Sequence, residues 1–235
     1  MAVSPDEYCR ALEAYLTRKN DGHLVRIVGP AFEQVRGWAE RGVPLKVAYR
    51  GIDRYVERYY AKGPRRRPVR IEFCEADILD VFDEWRRAVG VHRAEQPEEE
   101  APPRRREGLA RHLERAIARL TLLRGTAEPA GPAIPEGIVA SIIGELDRLR
   151  EPAARARGET RERVLAELAL LDAKLLAAAR EAAGDAVMAE LRREAEADLA
   201  GFRDRMPGDQ WARSVDAAAA RALRDRLRLP VLTTE

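Results

Sequence analysis

Residues 44–70 concentrate positive charge at a spacing that suits phosphate binding. The stretch holds nine lysines and arginines but only two acids, Asp53 and Glu57. Basic residues at positions 46, 50, 54 and 58 recur every fourth residue, so they share one side of a helix. Their guanidinium and ammonium groups can bind phosphate through charge-assisted hydrogen bonds. The predicted nucleic-acid-binding residues are Lys46, Arg50, Arg54, Arg58, Lys62, Arg65, Arg66, Arg67 and Arg70.

The next stretch, residues 72–84, has the opposite charge, with six carboxylates and no base. It offers a second explanation for the basic row, because the two could pair within the domain or between protomers. The row could also be the solvated side of its helix. Two functions therefore stay open. One is a non-enzymatic DNA-binding adaptor, and the other is a protein-interaction or self-association scaffold with no nucleic-acid contact.

Capping and proline signals place these charges on helices. A capping box at Ser4–Glu7 starts a helix that runs to about Lys19. Pro30 and Pro44 start the second and third helices, and a last one is expected over about 75–89. The third helix carries the basic row. Its apolar residues occupy a face rotated away from that row: Leu45, Ala48, Tyr49, Ile52, Val56 and Tyr59.

Two segments between these helices favour extended backbone. Residues 23–28 are too short for a helix and rich in β-branched residues, and residues 69–73 have a similar pattern. The order helix, strand, helix, turn, helix, basic loop is close to a winged helix-turn-helix, whose third helix enters the major groove. Tyr55 and Tyr60 fall outside the apolar phase and are candidates to stack on a nucleic acid or a partner. Residues 1–92 are therefore predicted to form a helical, winged-helix-like module.

Residues 93–107 separate this module from a second one. They combine prolines with blocks of like charge and have no large apolar residue, which is typical of a flexible linker. Residues 108–235 are predicted to form a helical bundle or hairpin, with helix breaks at 184–185 and 206–209. Its heptad seam consists of Val164, Leu168, Leu171, Leu175, Ala178 and Ala182. The fold class is mainly α.

Residues 30–85 resemble the DnaD-like domain of bacterial primosome and helicase-loading proteins. The shared features are a helix ending in Trp38-x-Glu40-x-Gly42, a second helix, a loop, and a terminal helix ending in Trp85. The family signature is Tyr-x-x-x-Ile-x-x-x-Trp. Val81 fits its aliphatic position, whereas Asp77 stands where the family has tyrosine. The resemblance covers about a quarter of the chain. It implies DNA binding, contacts with a replicative helicase or another replication protein, and homo-oligomerisation.

The remaining chemistry-bearing residues do not form a catalytic pattern. The sequence has no Gly-rich phosphate loop, and His23, His92 and His112 lack the spacing of metal ligands. Cys9 and Cys74 are far apart and are expected to be buried thiols. No window approaches the length of a membrane span, and no signal peptide is evident. We therefore expect a cytoplasmic protein that is not an enzyme, with no cofactor, metal or membrane contact.

Overall fold

The regular elements of the computed structural model are all helices. It describes residues 4–61, 63, 68–91, 108–125 and 134–234. Within them lie eight α-helices and two 3-10 helices, Ile71–Cys74 and Ala200–Arg205. The α-helices are α1 (Pro5–Lys19), α2 (Pro30–Glu40), α3 (Leu45–Tyr60), α4 (Glu75–Ala88), α5 (Leu109–Gly125), α6 (Glu136–Ala154), α7 (Gly158–Leu199) and α8 (Gly208–Leu227). The predicted mainly α fold is confirmed.

The chain forms two compact units. Unit 1 comprises Met1–Arg93 and Glu194–Ala218, and unit 2 comprises Ala94–Arg193 and Ala219–Glu235. The segment Glu194–Ala218 thus belongs with the N-terminal helices, whereas the sequence placed it within the second module. Phe202 explains its position, because its ring packs against those of Phe82 and Trp85, with centroids 6.4 and 6.2 Å apart. The predicted linker, residues 93–107, lies outside the described residues.

The helix starts of unit 1 follow the local signals. Ser4 Oγ accepts a hydrogen bond from the Glu7 amide at 3.2 Å, and the Glu7 carboxylate accepts one from the Ser4 amide at 3.1 Å. This capping box satisfies amides that have no partner inside the helix. Pro30 occupies the first turn of α2, where a missing N–H is harmless. These local rules are why the bounds of α1 and α2 can be read from sequence.

Residues 69–73 differ from the predicted extended backbone. Their second half enters the 3-10 helix Ile71–Cys74. Ile71 and Cys74 are both buried, and a 3-10 helix stacks residues three apart on one side. The Phe73 amide donates to the Arg70 carbonyl at 3.2 Å, which closes the turn. Burial of this i,i+3 pair therefore outweighs the β-propensity of Val69, Ile71 and Phe73.

In unit 2 the heptad seam on α7 is buried. Val164, Leu168, Leu171, Leu175 and Ala178 are all buried, and Ala182 is half-buried. The predicted break at 184–185 is present inside α7, because Gly184 has φ 73° and ψ 166°, which is not helical. A positive φ of this size is accessible to glycine at little cost. The α7 segment is therefore two helices joined at Gly184.

An ion pair holds the C-terminal segment of unit 2 in place. Arg224 on α8 donates to the Asp172 carboxylate of α7 at 2.6 Å and to the Pro230 carbonyl at 2.9 Å. The other oxygen of Asp172 accepts from the Leu232 amide at 2.9 Å. Nε2 of His112 lies 3.0 Å from the Leu232 carbonyl. Leu232 itself is fully buried, so these polar groups fix a segment that also contributes to the core.

Candidate functional site

The basic helix α3 packs directly on the acidic helix α4, and the two backbones come close together at Gly51. A Cβ added at Gly51 would lie 2.6 Å from Cγ1 and 2.7 Å from the backbone nitrogen of Ile78. Real Cβ atoms do not come so close to another residue, so only glycine fits here. This contact brings the arginines that follow Gly51 within reach of the carboxylates on α4.

Arg58 and Arg54 both pair with carboxylates on α4. Arg58 donates to both carboxylate oxygens of Asp77, at 2.9 and 2.7 Å. Arg54 donates to Glu84 at 3.2 Å and lies 3.9 Å from Asp77. The side chain of Asp77 is only 4% exposed, whereas that of Arg58 is 61% exposed. Two charge-assisted hydrogen bonds of this kind are stronger than bonds between neutral groups, and they fix the relative orientation of the two side chains. The acidic residue is therefore buried and satisfied by the basic row.

The basic row turns as it follows the helix. At 3.6 residues per turn, each step of four residues rotates the side chain by about 40°, so Lys46 and Arg58 differ by about 120°. Lys46 accordingly pairs with Glu194 near the end of α7, within unit 1, whereas Arg58 pairs with α4. Arg50, between them, is exposed. The row is therefore not one flat basic surface.

The rest of the predicted site lies partly within and partly outside the described residues. Arg70 forms an ion pair with Glu72 at 2.6 Å. Lys62, Arg65, Arg66 and Arg67 lie outside the described residues. Of the predicted set, Lys46, Arg54, Arg58 and Arg70 each have an acidic partner within unit 1. The sharp alternation of charge in the sequence thus corresponds to pairing inside one unit.

Asp53, an acid inside the basic stretch, faces a different helix. The hydroxyl of Tyr15 on α1 donates to its carboxylate at 2.8 Å, and Lys19 approaches it at 2.7 Å. The rings of Tyr15 and Tyr49 stack with centroids 4.1 Å apart. Burial and the bond to Asp53 raise the pKa of Tyr15, and the same carboxylate raises the pKa of Lys19. Asp53 therefore holds α3 to α1 while its neighbours hold α3 to α4.

An aromatic cluster adjoins the paired arginines. The ring of Tyr55 lies 5.8 Å from that of Tyr59 and 6.4 Å from that of Phe73. The guanidinium of Arg58 lies 5.5 Å from the centre of the Tyr55 ring. Phe73 is 58% exposed, which is unusual for so large an apolar side chain. The positions of Tyr55 and Tyr60 outside the apolar face of α3 made them candidates from sequence. Phe73 was missed, because the 3-10 turn is what brings its ring to Tyr55.

The cysteines are buried, as expected from sequence. Burial raises the pKa of the Cys74 thiol to about 12, and the nearby Asp77 carboxylate acts in the same direction. Burial also raises the pKa of Cys9. A thiol in either position stays protonated near neutral pH and is a poor nucleophile or metal ligand. The described residues hold no group of three or more His, Cys, Asp or Glu side chains placed to bind a metal ion.

Comparison with known proteins identifies no relative of this chain. No family model, curated protein or solved structure matches it. The resemblance to the DnaD-like domain therefore stays a prediction. Among the helices in the described part of the chain, none combines the length and apolarity that crossing a membrane requires.

Proposed function

We propose that this chain is a non-enzymatic adaptor that binds other proteins through unit 1. The observation that carries the proposal is the pairing of Arg54 and Arg58 with α4. A phosphate that took the two Arg58 donors now bound to Asp77 would leave that buried carboxylate without them. Leaving a buried carboxylate without its partner is strongly unfavourable. Nucleic-acid binding along this row would therefore be opposed by the unit's own electrostatics.

The surface beside the row has the composition of a protein interface. Tyr55, Tyr59 and Phe73 form a stacked aromatic group, flanked by the guanidinium of Arg58. Tyrosine, phenylalanine and arginine are enriched at the centres of protein–protein interfaces. Such side chains contribute much of the binding free energy, since they bury large area at a low cost in conformational entropy.

DNA binding, in replication initiation or helicase loading, is the second candidate. It is favoured by the exposure of Arg58 and Arg70, and by an exposed Phe73 on which a base could stack. The partners would be single- or double-stranded DNA and a replicative helicase. This candidate follows the resemblance of residues 30–85, and it requires the ion pairs on α3 to open.

Fluorescence anisotropy with labelled single- and double-stranded oligonucleotides separates the two candidates. Between about 50 and 200 mM salt, we expect neither probe to show binding that weakens as the salt concentration rises. The result that would favour DNA is an affinity whose logarithm falls with log salt by about 0.9 per phosphate contacted. That binding should also be lost when Arg54 and Arg58 are replaced by alanine. Arg213→Ala is the matched control, because Arg213 is an exposed, ion-paired arginine on α8 of the same unit.

A further inference from the structure

The segment Leu24–Val28, between α1 and α2, exposes every second residue. Leu24 is 80% exposed, Val28 is 69% exposed, and Arg26 between them is also exposed. Val25 is half-buried, and Ile27 is buried. This period of two is that of an extended strand, in which successive side chains point to opposite faces. The segment predicted to be extended, 23–28, shows this alternation over Leu24–Val28, although no strand is assigned among the described residues, and its main chain bonds to side chains of α1.

Among the described residues, the hydrogen-bond partners of this segment's amides lie along one edge. The Val25 amide donates to Thr17 Oγ1 at 3.2 Å, and the Ile27 amide donates to Glu13 Oε1 at 2.7 Å. In extended backbone, the N–H and C=O groups of alternate residues face the same edge. The main-chain groups of Leu24, Arg26 and Val28 consequently face the other edge, where no described residue bonds to them.

We propose that Leu24–Val28 is a docking edge for an extended peptide of a partner protein. The peptide adds as a β-strand, with apolar side chains beside Leu24 and Val28 and a carboxylate beside Arg26. This inference rests on the adaptor function proposed above and names the kind of partner that it recognises. An unpaired strand edge is a ready template for another strand, and main-chain hydrogen bonds supply affinity whatever the sequence.

Charge selects the occupant. Arg26 has no ion-pair partner among the described residues, so a carboxylate beside it would gain a new pair. A second copy of this chain is a poorer occupant, because antiparallel pairing of the segment with itself places Arg26 opposite Arg26. Like charges directly opposite in a ladder are destabilising. A peptide with apolar, acidic and apolar residues at alternate positions complements both the side chains and the main chain of the edge.

The test is an NMR titration of the full chain, labelled with nitrogen-15, with three capped five-residue peptides. The first is VTETV, the second is VTKTV, and the third is VTETV methylated on the backbone nitrogen of its central residue. Addition of VTETV, up to about 1 mM, should shift the amides of Leu24, Arg26 and Val28 most strongly. VTKTV should bind at least about threefold more weakly, because its lysine faces Arg26. The methylated peptide should shift none of these amides.

The variant Arg26→Glu provides the decisive control, since it changes an exposed side chain and leaves the Val25 and Ile27 bonds intact. It should reverse the preference, so that VTKTV binds more tightly than VTETV. Absence of shifts at the three amides, equal binding of the methylated peptide, or an unchanged preference in Arg26→Glu would each overturn the inference. The adaptor function itself is tested by a different experiment. Salt-dependent binding of oligonucleotides through Arg54 and Arg58 would contradict it.

Discussion

Gly51→Ala should destabilise unit 1 by at least about 4 kcal/mol, an unusually large cost for adding one methyl group. The added Cβ would meet the backbone of Ile78, at 2.7 Å from its nitrogen, so α3 and α4 would have to separate. Moving a helix loosens the packing of Ile52, Ile78 and their neighbours as well. Urea denaturation followed by intrinsic fluorescence measures this directly, since all three tryptophans lie in unit 1.

Gly37→Ala is the matched control for that experiment. Gly37 also lies inside a helix, α2, but a Cβ there meets nothing within 4 Å. Alanine is the better helix former, so we expect this variant to be more stable than the native protein by up to about 1 kcal/mol. If both substitutions had the same small effect, α3 and α4 would not be in backbone contact, and the pairing of their charges would lose its structural basis.

Arg224→Ala should cost unit 2 about 3–5 kcal/mol, the usual effect of removing one member of a buried ion pair. It leaves the Asp172 carboxylate without its cationic partner and the Pro230 carbonyl without its donor. Urea denaturation followed by far-ultraviolet circular dichroism measures the loss, and amide exchange at Leu232 should accelerate. Faster exchange is expected because the Leu232 amide donates to the same carboxylate.

Arg226→Ala distinguishes the buried pair from charge in general. Arg226 lies one half-turn further along α8 and pairs with Glu190 at 3.4 Å, but both side chains are largely solvated. Exposed pairs contribute between 0 and about 1 kcal/mol, so this variant should unfold almost as the native protein does. Equal losses for Arg224→Ala and Arg226→Ala would mean that burial of the Arg224–Asp172 pair has no special effect.

Much of the helical framework can be predicted from sequence, because the signals that delimit helices are local. The capping box at Ser4, the proline at position 30 and the glycine at position 184 each act on their own turn of chain. The buried seam of α7 is predictable for the same reason, since its spacing is a property of one helix. The apolar face assigned to α3 was less accurate. It included Tyr49 and Val56, which are half-buried, and omitted Gly51, which has no side chain to reveal its contact.

The candidate site was harder to predict, because the role of its charged residues depends on contacts between segments far apart in the chain. The basic row and the acidic stretch are both evident in sequence, but their pairing depends on how α3 and α4 are juxtaposed. The partner of Lys46, Glu194, lies 148 residues away along the chain. Extended backbone at 23–28 was predicted, but its free edge was not, because which main-chain groups lack partners depends on the contacts with α1.

The interpretation of the basic row depends most directly on the energetic coupling between Arg58 and Asp77. A double-mutant cycle with Arg58→Met, Asp77→Asn and the double variant measures it, using the free energy of unfolding from tryptophan fluorescence. Because Asp77 is buried and bound by both terminal nitrogens of the Arg58 guanidinium, we expect a favourable coupling of at least about 1 kcal/mol. Additive effects, with a coupling below about 0.3 kcal/mol, would mean that the pair does not hold Arg58. Arg58 would then be available to phosphate, contrary to the adaptor function proposed for unit 1.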